Sequence, residues 1–255
     1  MKTLKKLIAF ITVSLVLSSV LFAKPNKKDS KFVCSTSWVA AIAELAGVDD
    51  VTTIAPVNLK HPPEYEIKPS DIVKVIKAEL IMHAGYEKMV KVMAASAEID
   101  QSKMMKVRTT NTMENLEKMV KQISEKAGTQ KQAEKRFAQY KKMIEKARAD
   151  IKEKGLDKIP VYVNTNQAEF ARDLGLNVVD TFGGGPLTSK QIEQAAKEKY
   201  ALVIDNVHNP VADPIKEVSP DTKILVWRNF PESLGNNALT KVIKANIDSL
   251  LKLKF

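Results

Sequence analysis

The stretch IPVYVNTNQAEFARDLGLNVVDT, residues 159–181, decides the fold. Ile159 to Val163 reads as a strand, Gln167 to Leu174 as a helix and Val178 to Thr181 as a second strand. Two strands with a helix between them must run parallel, because the helix returns the chain to the edge it left. The same rhythm continues downstream. Gly183, Gly184, Gly185 and Pro186 make a loop, Ser189 caps a helix through Lys199, and Ala201 to Asp205 is again a strand. Lys223 to Trp227 is the last strand, and Leu239 to Leu251 the closing helix.

Upstream the pattern is similar. Lys31 to Ser35 predicts a strand, Trp38 to Leu45 a helix stopped at Gly47, and Val51 to Ile54 a strand. The loop Pro56 to Pro69 holds four prolines with His61 and Tyr65. Ser70 to Lys77 reads as a helix, Glu79 to His83 as a strand, Glu87 to Ala97 as a helix and Met104 to Thr109 as a strand. Between the two series, residues 113–154 are rich in Lys, Glu, Gln and Ala and broken at Gly128 and Thr129. Met119, Phe137, Tyr140, Met143, Ile144, Ala147 and Ile151 form apolar stripes there. The fold class is therefore α/β: two βα lobes with parallel sheets, residues 24–112 and 155–255, joined by a helical linker, residues 113–154, whose later part is a long backbone helix. A ligand cleft is expected between the lobes.

Residues 1–23 read as an export signal: Lys2, Lys5 and Lys6, an apolar run from Leu7 to Phe22, and Ala23 before the cut. This predicts a periplasmic protein. Cys34 is the only cysteine, so no internal disulfide can form even though export permits one. The formal charge is +10, and removing the three leader lysines leaves +7. Much of that excess lies in mixed Lys/Glu helices, arginine is sparse and no aromatic residues interleave with a basic run. Nucleic acid is not an expected partner, and a monomer is expected.

Ligands of parallel sheets sit beyond the carboxyl ends of the strands. The polar residues there are Ser35 to Ser37, His83, Arg108 to Thr110, Asn164 to Asn166, Asp205, Asn206, His208, Arg228 and Asn229. All three histidines, His61, His83 and His208, fall in loops or strand ends on this side. Imidazoles with a carboxylate such as Asp205 or Glu64 suit zinc or another borderline divalent ion. Each also has a plainer reading: His61 as an exposed loop residue, His83 as a half-buried imidazole bonded to backbone, His208 and Asp205 as turn braces. The Gly183 to Gly185 run is a turn or an anion cradle. Cys34 is a buried thiol rather than a nucleophile, and no catalytic residue or catalytic cofactor is expected, so the chain does not read as an enzyme. Trp38 and Trp227 are packing residues, Trp227 being the one able to line a pocket. Met82, Met89, Met93, Met104 and Met105 read as core rather than as a copper site.

The stretches HPPEYEIKPSD, His61 to Asp71, and AELIMHAGYE, Ala78 to Glu87, resemble the metal-binding cluster of periplasmic solute-binding proteins that feed zinc, manganese or iron to ABC transporters. The resemblance covers most of residues 31–250, long helix included. It implies capture of a metal cargo between the lobes and delivery to a membrane permease. Placed on the family motif, the first ligand histidine falls on Pro63, with His61 two residues earlier. The second falls near Arg108 to Asn111, the third ligand on Asn164, and the terminal acid around Arg228 and Asn229. Two expectations follow. Either His61, His83 and His208 form a displaced metal site with Asp205, or the cleft takes another polar or anionic solute through Arg108, Asn164, Asn166 and Arg228.

Overall fold

Alternate residues of the central strands face opposite ways, as a pleated strand requires. In a computed structural model, which describes residues 30–235 and 237–255, Cys34 and Met82 join a large central core while their neighbours Val33 and Ile81 pack into a separate outer cluster. The second sheet does the same, with Val161, Val163, Leu202 and Ile204 inward and Tyr162 and Val203 outward. The export leader lies outside the described residues.

The first sheet contains β1 (Phe32–Cys34), β2 (Val51–Thr53), β3 (Leu80–His83) and β4 (Met104–Lys106), in the order β2-β1-β3-β4. The second contains β5 (Pro160–Asn164), β6 (Asn177–Phe182), β7 (Leu202–Asn206) and β8 (Lys223–Trp227), in the order β6-β5-β7-β8. Every pairing is parallel. Both sheets therefore share one topology, which brings the carboxyl ends of their inner strands to a common cleft.

The connecting helices are α1 (Ser37–Leu45), α2 (Pro69–Lys77), α3 (Lys88–Ala95), α4 (Met113–Ala127), α5 (Gln130–Glu153), α6 (Thr165–Asp173), α7 (Ser189–Glu198), α8 (Asp213–Val218) and α9 (Ala238–Leu251). Thr36 caps α1, its hydroxyl accepting from Val39 N. Nearly every residue of α1 is buried, because α4, α5 and α9 all pack on it. The cap of α7 is Thr188, one residue before the expected Ser189, and it forms a reciprocal box with Gln191. No described helix is long and apolar enough to cross a membrane.

Helix α5, 24 residues long, spans roughly 36 Å at 1.5 Å per residue. Ala133, Tyr140, Ile144, Ala147 and Ile151 repeat at helical spacing and are buried. Each isoleucine so buried contributes about 2 kcal/mol. Arg136 ties the helix to the first lobe, donating to Glu44 O at 2.5 Å and to the Asp49 carboxylate. Three turns on, Arg148 ties it to the second, with Nε 2.7 Å from Asp173 O and Nη2 2.8 Å from Asp173 Oδ1. The central core runs unbroken from Cys34 through α1, α4 and α5 to Leu250 of α9. Opening the lobes widely would expose that apolar surface, so the fold favours small movements.

Candidate functional site

A cavity of about 260 Å³ lies where the strand ends of the two lobes meet. The first lobe contributes Thr36 and Trp38 at the start of α1, Lys60, His61, Pro62 and Pro63 from the proline-rich loop, and Tyr86 beyond β3. The second contributes Asn166 from α6, Asn206, His208 and Asn209 beyond β7, and Asn229 and Phe230 beyond β8. A second cavity of about 290 Å³ adjoins it and shares Trp38, Tyr86, Asn166 and Asn229.

Three rings cross the cleft in a stack. The His208 imidazole lies 3.7 Å from the Phe230 ring at an interplanar angle of 8°, and Phe230 stacks on Trp38 at 5.5 Å. A chain of side-chain amides accompanies them. Trp38 Nε1 donates to Asn111 Oδ1 at 3.0 Å, and Asn111 Nδ2 to Asn229 O at 2.8 Å, joining the lobes. Gln167 Nε2 donates to Asn206 Oδ1 at 3.3 Å and to Asn229 Oδ1. These bonds hold the cleft walls in place without any ion pair.

His208 is held neutral. Burial, then the nearby Arg228 guanidinium, push its pKa down to about 4, with Glu232 and a hydrogen bond to the Phe230 backbone opposing and the charge of His61 adding to the depression. Its Nε2 is buried and has no hydrogen-bond partner among the described residues. A neutral imidazole with a bare nitrogen can receive a proton donor or a metal ion.

The expected four-residue set is not gathered. His61 and His208 line the same cavity, but His83 does not, and its Nδ1 is buried without a partner. Asp205, 2% exposed, is spent within the second lobe. Its Oδ1 accepts from Asn164 Nδ2 at 2.9 Å and Asn206 N at 2.7 Å; its Oδ2 accepts from Val211 N at 2.7 Å and Ala212 N at 2.8 Å. Four donors fill the four lone-pair positions of a carboxylate, so Asp205 braces the turn after β7. Glu64 is exposed and outside the cavity lining. Among the described residues no group of three His, Cys, Asp or Glu side chains converges.

The alternative set is divided too. Asn166 lines the cavity, whereas Asn164 is fully buried, capping α6 and bonded to Asp205. Arg108 points away to an exposed ion pair with Glu169 at 3.5 Å. Arg228 is turned to the outer side of the second lobe and pairs with Glu232 at 2.6 Å. Gly183, at φ +110°, packs against the Asn164 amide, where an added Cβ would come within 3.1 Å of it. Trp227 is fully buried against Phe170, and Trp38 is the tryptophan of the cleft. Burial, then the Glu44 charge, push the Cys34 thiol far up, which leaves it unreactive.

Glu87, absent from the expected set, mirrors Asp205 in the first lobe. It is 1% exposed and accepts from Ser35 Oγ at 2.5 Å, Ala84 N at 2.8 Å and Gly85 N at 2.7 Å. Lys60, Tyr86, Asn209 and Phe230 were also not singled out. The signal for the aromatic pair was available: Tyr86 and Phe230 each stand three residues beyond the last residue of a strand, β3 and β8 respectively.

Comparison with solved structures finds one architecture repeatedly. The chain superposes on the Mn-bound periplasmic metal binding protein of Candidatus Liberibacter asiaticus with a TM-score of 0.61 at 16% identity, covering 86% of this chain and 98% of that one. The fold is that of periplasmic metal-binding proteins. The laminin-binding protein Lmb of Streptococcus agalactiae, described as having adhesin and metal transporting activity, matches with a TM-score of 0.65 at 13% identity over 88% and 98% of the two chains. The Pseudomonas aeruginosa SBP FpvC, solved with Ni²⁺, matches at 0.66 and 12% identity over 87% and 96%. No family model and no curated protein sequence matches. In this chain the cavity between the lobes is lined by amides, rings and two histidines.

Proposed function

We propose that the protein is an extracytoplasmic solute-binding receptor that captures a divalent transition metal in the interlobe cavity and passes it to an ABC permease. The observation that carries this reading is His208, a neutral imidazole with a buried, partnerless Nε2 at the cavity shared with His61. An orphaned buried acceptor is costly, and a bound cation removes the cost. The metal-binding fold and the leader-like residues 1–23 support the same reading.

Function here is binding and release, with no bond made. The shared core and α5 limit the swing of the lobes, so loading closes the cleft by a small shift of the loops that carry His61 and His208. Zinc, manganese and iron are the candidate cargoes, and two nitrogen donors favour zinc among them. The test is elemental analysis of gently purified protein with calorimetric titration of each metal. Near one ion per chain, weakened in His61→Ala and in His208→Ala, supports the proposal. Absence of binding by all three metals, both as free ions and as complexes with small organic acids, contradicts it.

A further inference from the structure

Resting on that reading, the make-up of the cavity bears on what accompanies the metal. We infer that the cavity takes a divalent metal already chelated by a small organic acid, rather than a bare ion.

Charge is the first reason. Among the described residues no aspartate or glutamate lines the cavity that His61 and His208 share, and Lys60 does. The carboxylates nearest the strand ends, Asp205 and Glu87, are turned inward and filled by backbone and side-chain donors. Glu169 borders the adjoining cavity but is exposed and paired with Arg108. A bare divalent ion between His61 and His208 would meet the Lys60 ammonium and no carboxylate in the described lining, and Glu232, whose charge reaches His208, is already paired with Arg228. A polycarboxylate carries that missing charge in with the metal and gives Lys60 its counterion.

Size is the second. At about 30 Å³ per water, 260 Å³ corresponds to about nine waters, and the adjoining cavity extends the space further. One ion on two imidazoles fills a small part of it. A six-carbon acid around the ion fits the scale.

The lining is the third. The side chains of Asn166 and Asn209 face the cavity and make no hydrogen bond among the described residues. Their amide N–H groups suit carboxylate oxygens. The chelator thus meets Lys60 and these amides, while His61 and His208 take coordination positions it leaves open.

Calorimetry on the full chain separates the possibilities, with zinc alone, citrate alone, malate alone, and zinc premixed with each acid. Because either acid lowers free zinc, a bare-ion site would bind more weakly in its presence. The inference expects the reverse: zinc with at least one acid binds about tenfold or more tighter than zinc alone. Lys60→Ala should remove that gain. Zinc alone binding as tightly as, or more tightly than, both mixtures overturns the inference while leaving the receptor reading intact. Acid binding equally well without zinc also overturns it. If zinc, the acids and the mixtures all fail to bind, the receptor reading falls with it.

Discussion

The imidazole of His208 lies flat on the ring of Phe230, centroids 3.7 Å apart and planes 8° from parallel. The contact fixes the imidazole plane and leaves Nε2 without a partner. Stability and binding are therefore set against each other at one side chain.

His208→Phe keeps the stack and removes the orphaned nitrogen. The variant should unfold at a urea concentration equal to or above that of the parent, with a gain on the order of 1 kcal/mol, while losing metal binding. Destabilisation with binding retained would contradict the role given to Nε2.

The same residue sets a pH dependence. An unfolded histidine titrates near pH 6.5, and in the fold His208 is depressed to about 4. Between those values the unfolded chain binds the proton and the folded chain does not, so His208 contributes stability above pH 6.5 that is lost as the pH falls toward 4. His208→Phe should flatten the stability profile across that window, read from urea midpoints. An unchanged slope would count against the depressed value.

Glu44 joins the lobes from α1, accepting from Gly235 N and, at 3.3 Å, from Ala238 N at the start of α9. Glu44→Ala should cost about 2 kcal/mol and Glu44→Gln, which keeps one acceptor, about 1 kcal/mol. Burial raises the Glu44 pKa, so its contribution to stability is greatest in acid and is lost as the pH rises through the folded value. The glutamine variant should lack that slope.

Gly47 ends α1 at φ +87°, and an added Cβ would lie 2.8 Å from Gln132 Cβ and 2.9 Å from Ala133 N. Gly47→Ala combines left-handed strain with a clash against the first turn of α5, and should cost on the order of 3 kcal/mol by chemical unfolding. A loss below about 1 kcal/mol would mean that α5 can move away from the first lobe.

The parallel sheets were legible because β-branched runs alternate with amphipathic stretches, and α5 because Tyr140, Ile144, Ala147 and Ile151 keep helical spacing. Helix α8 was not foreseen: six residues with Pro214 inside give too short a period to register. At the site, all three histidines were expected at the cleft, and His61 and His208 line the cavity whereas His83 does not. The directions of the arginines were not in the sequence. Asn246 of α9 clasps both backbone groups of Arg228, accepting from its N at 3.1 Å and donating to its O at 2.8 Å, which fixes the backbone where its guanidinium turns outward. Trp227 packs in the core as its residue type suggested, whereas Trp38, read as a packing residue, lines the cavity. Packing against Phe170, with a hydrogen bond to Ser249 of α9, decides that Trp227 is core.

Anomalous diffraction from crystals grown with zinc, with and without citrate, tests the central claim most directly. The account predicts a single strong peak in the interlobe cavity, about 2.0–2.1 Å from His208 Nε2 and bonded also to His61. A peak elsewhere, or a cavity that holds no zinc under either condition, would contradict it.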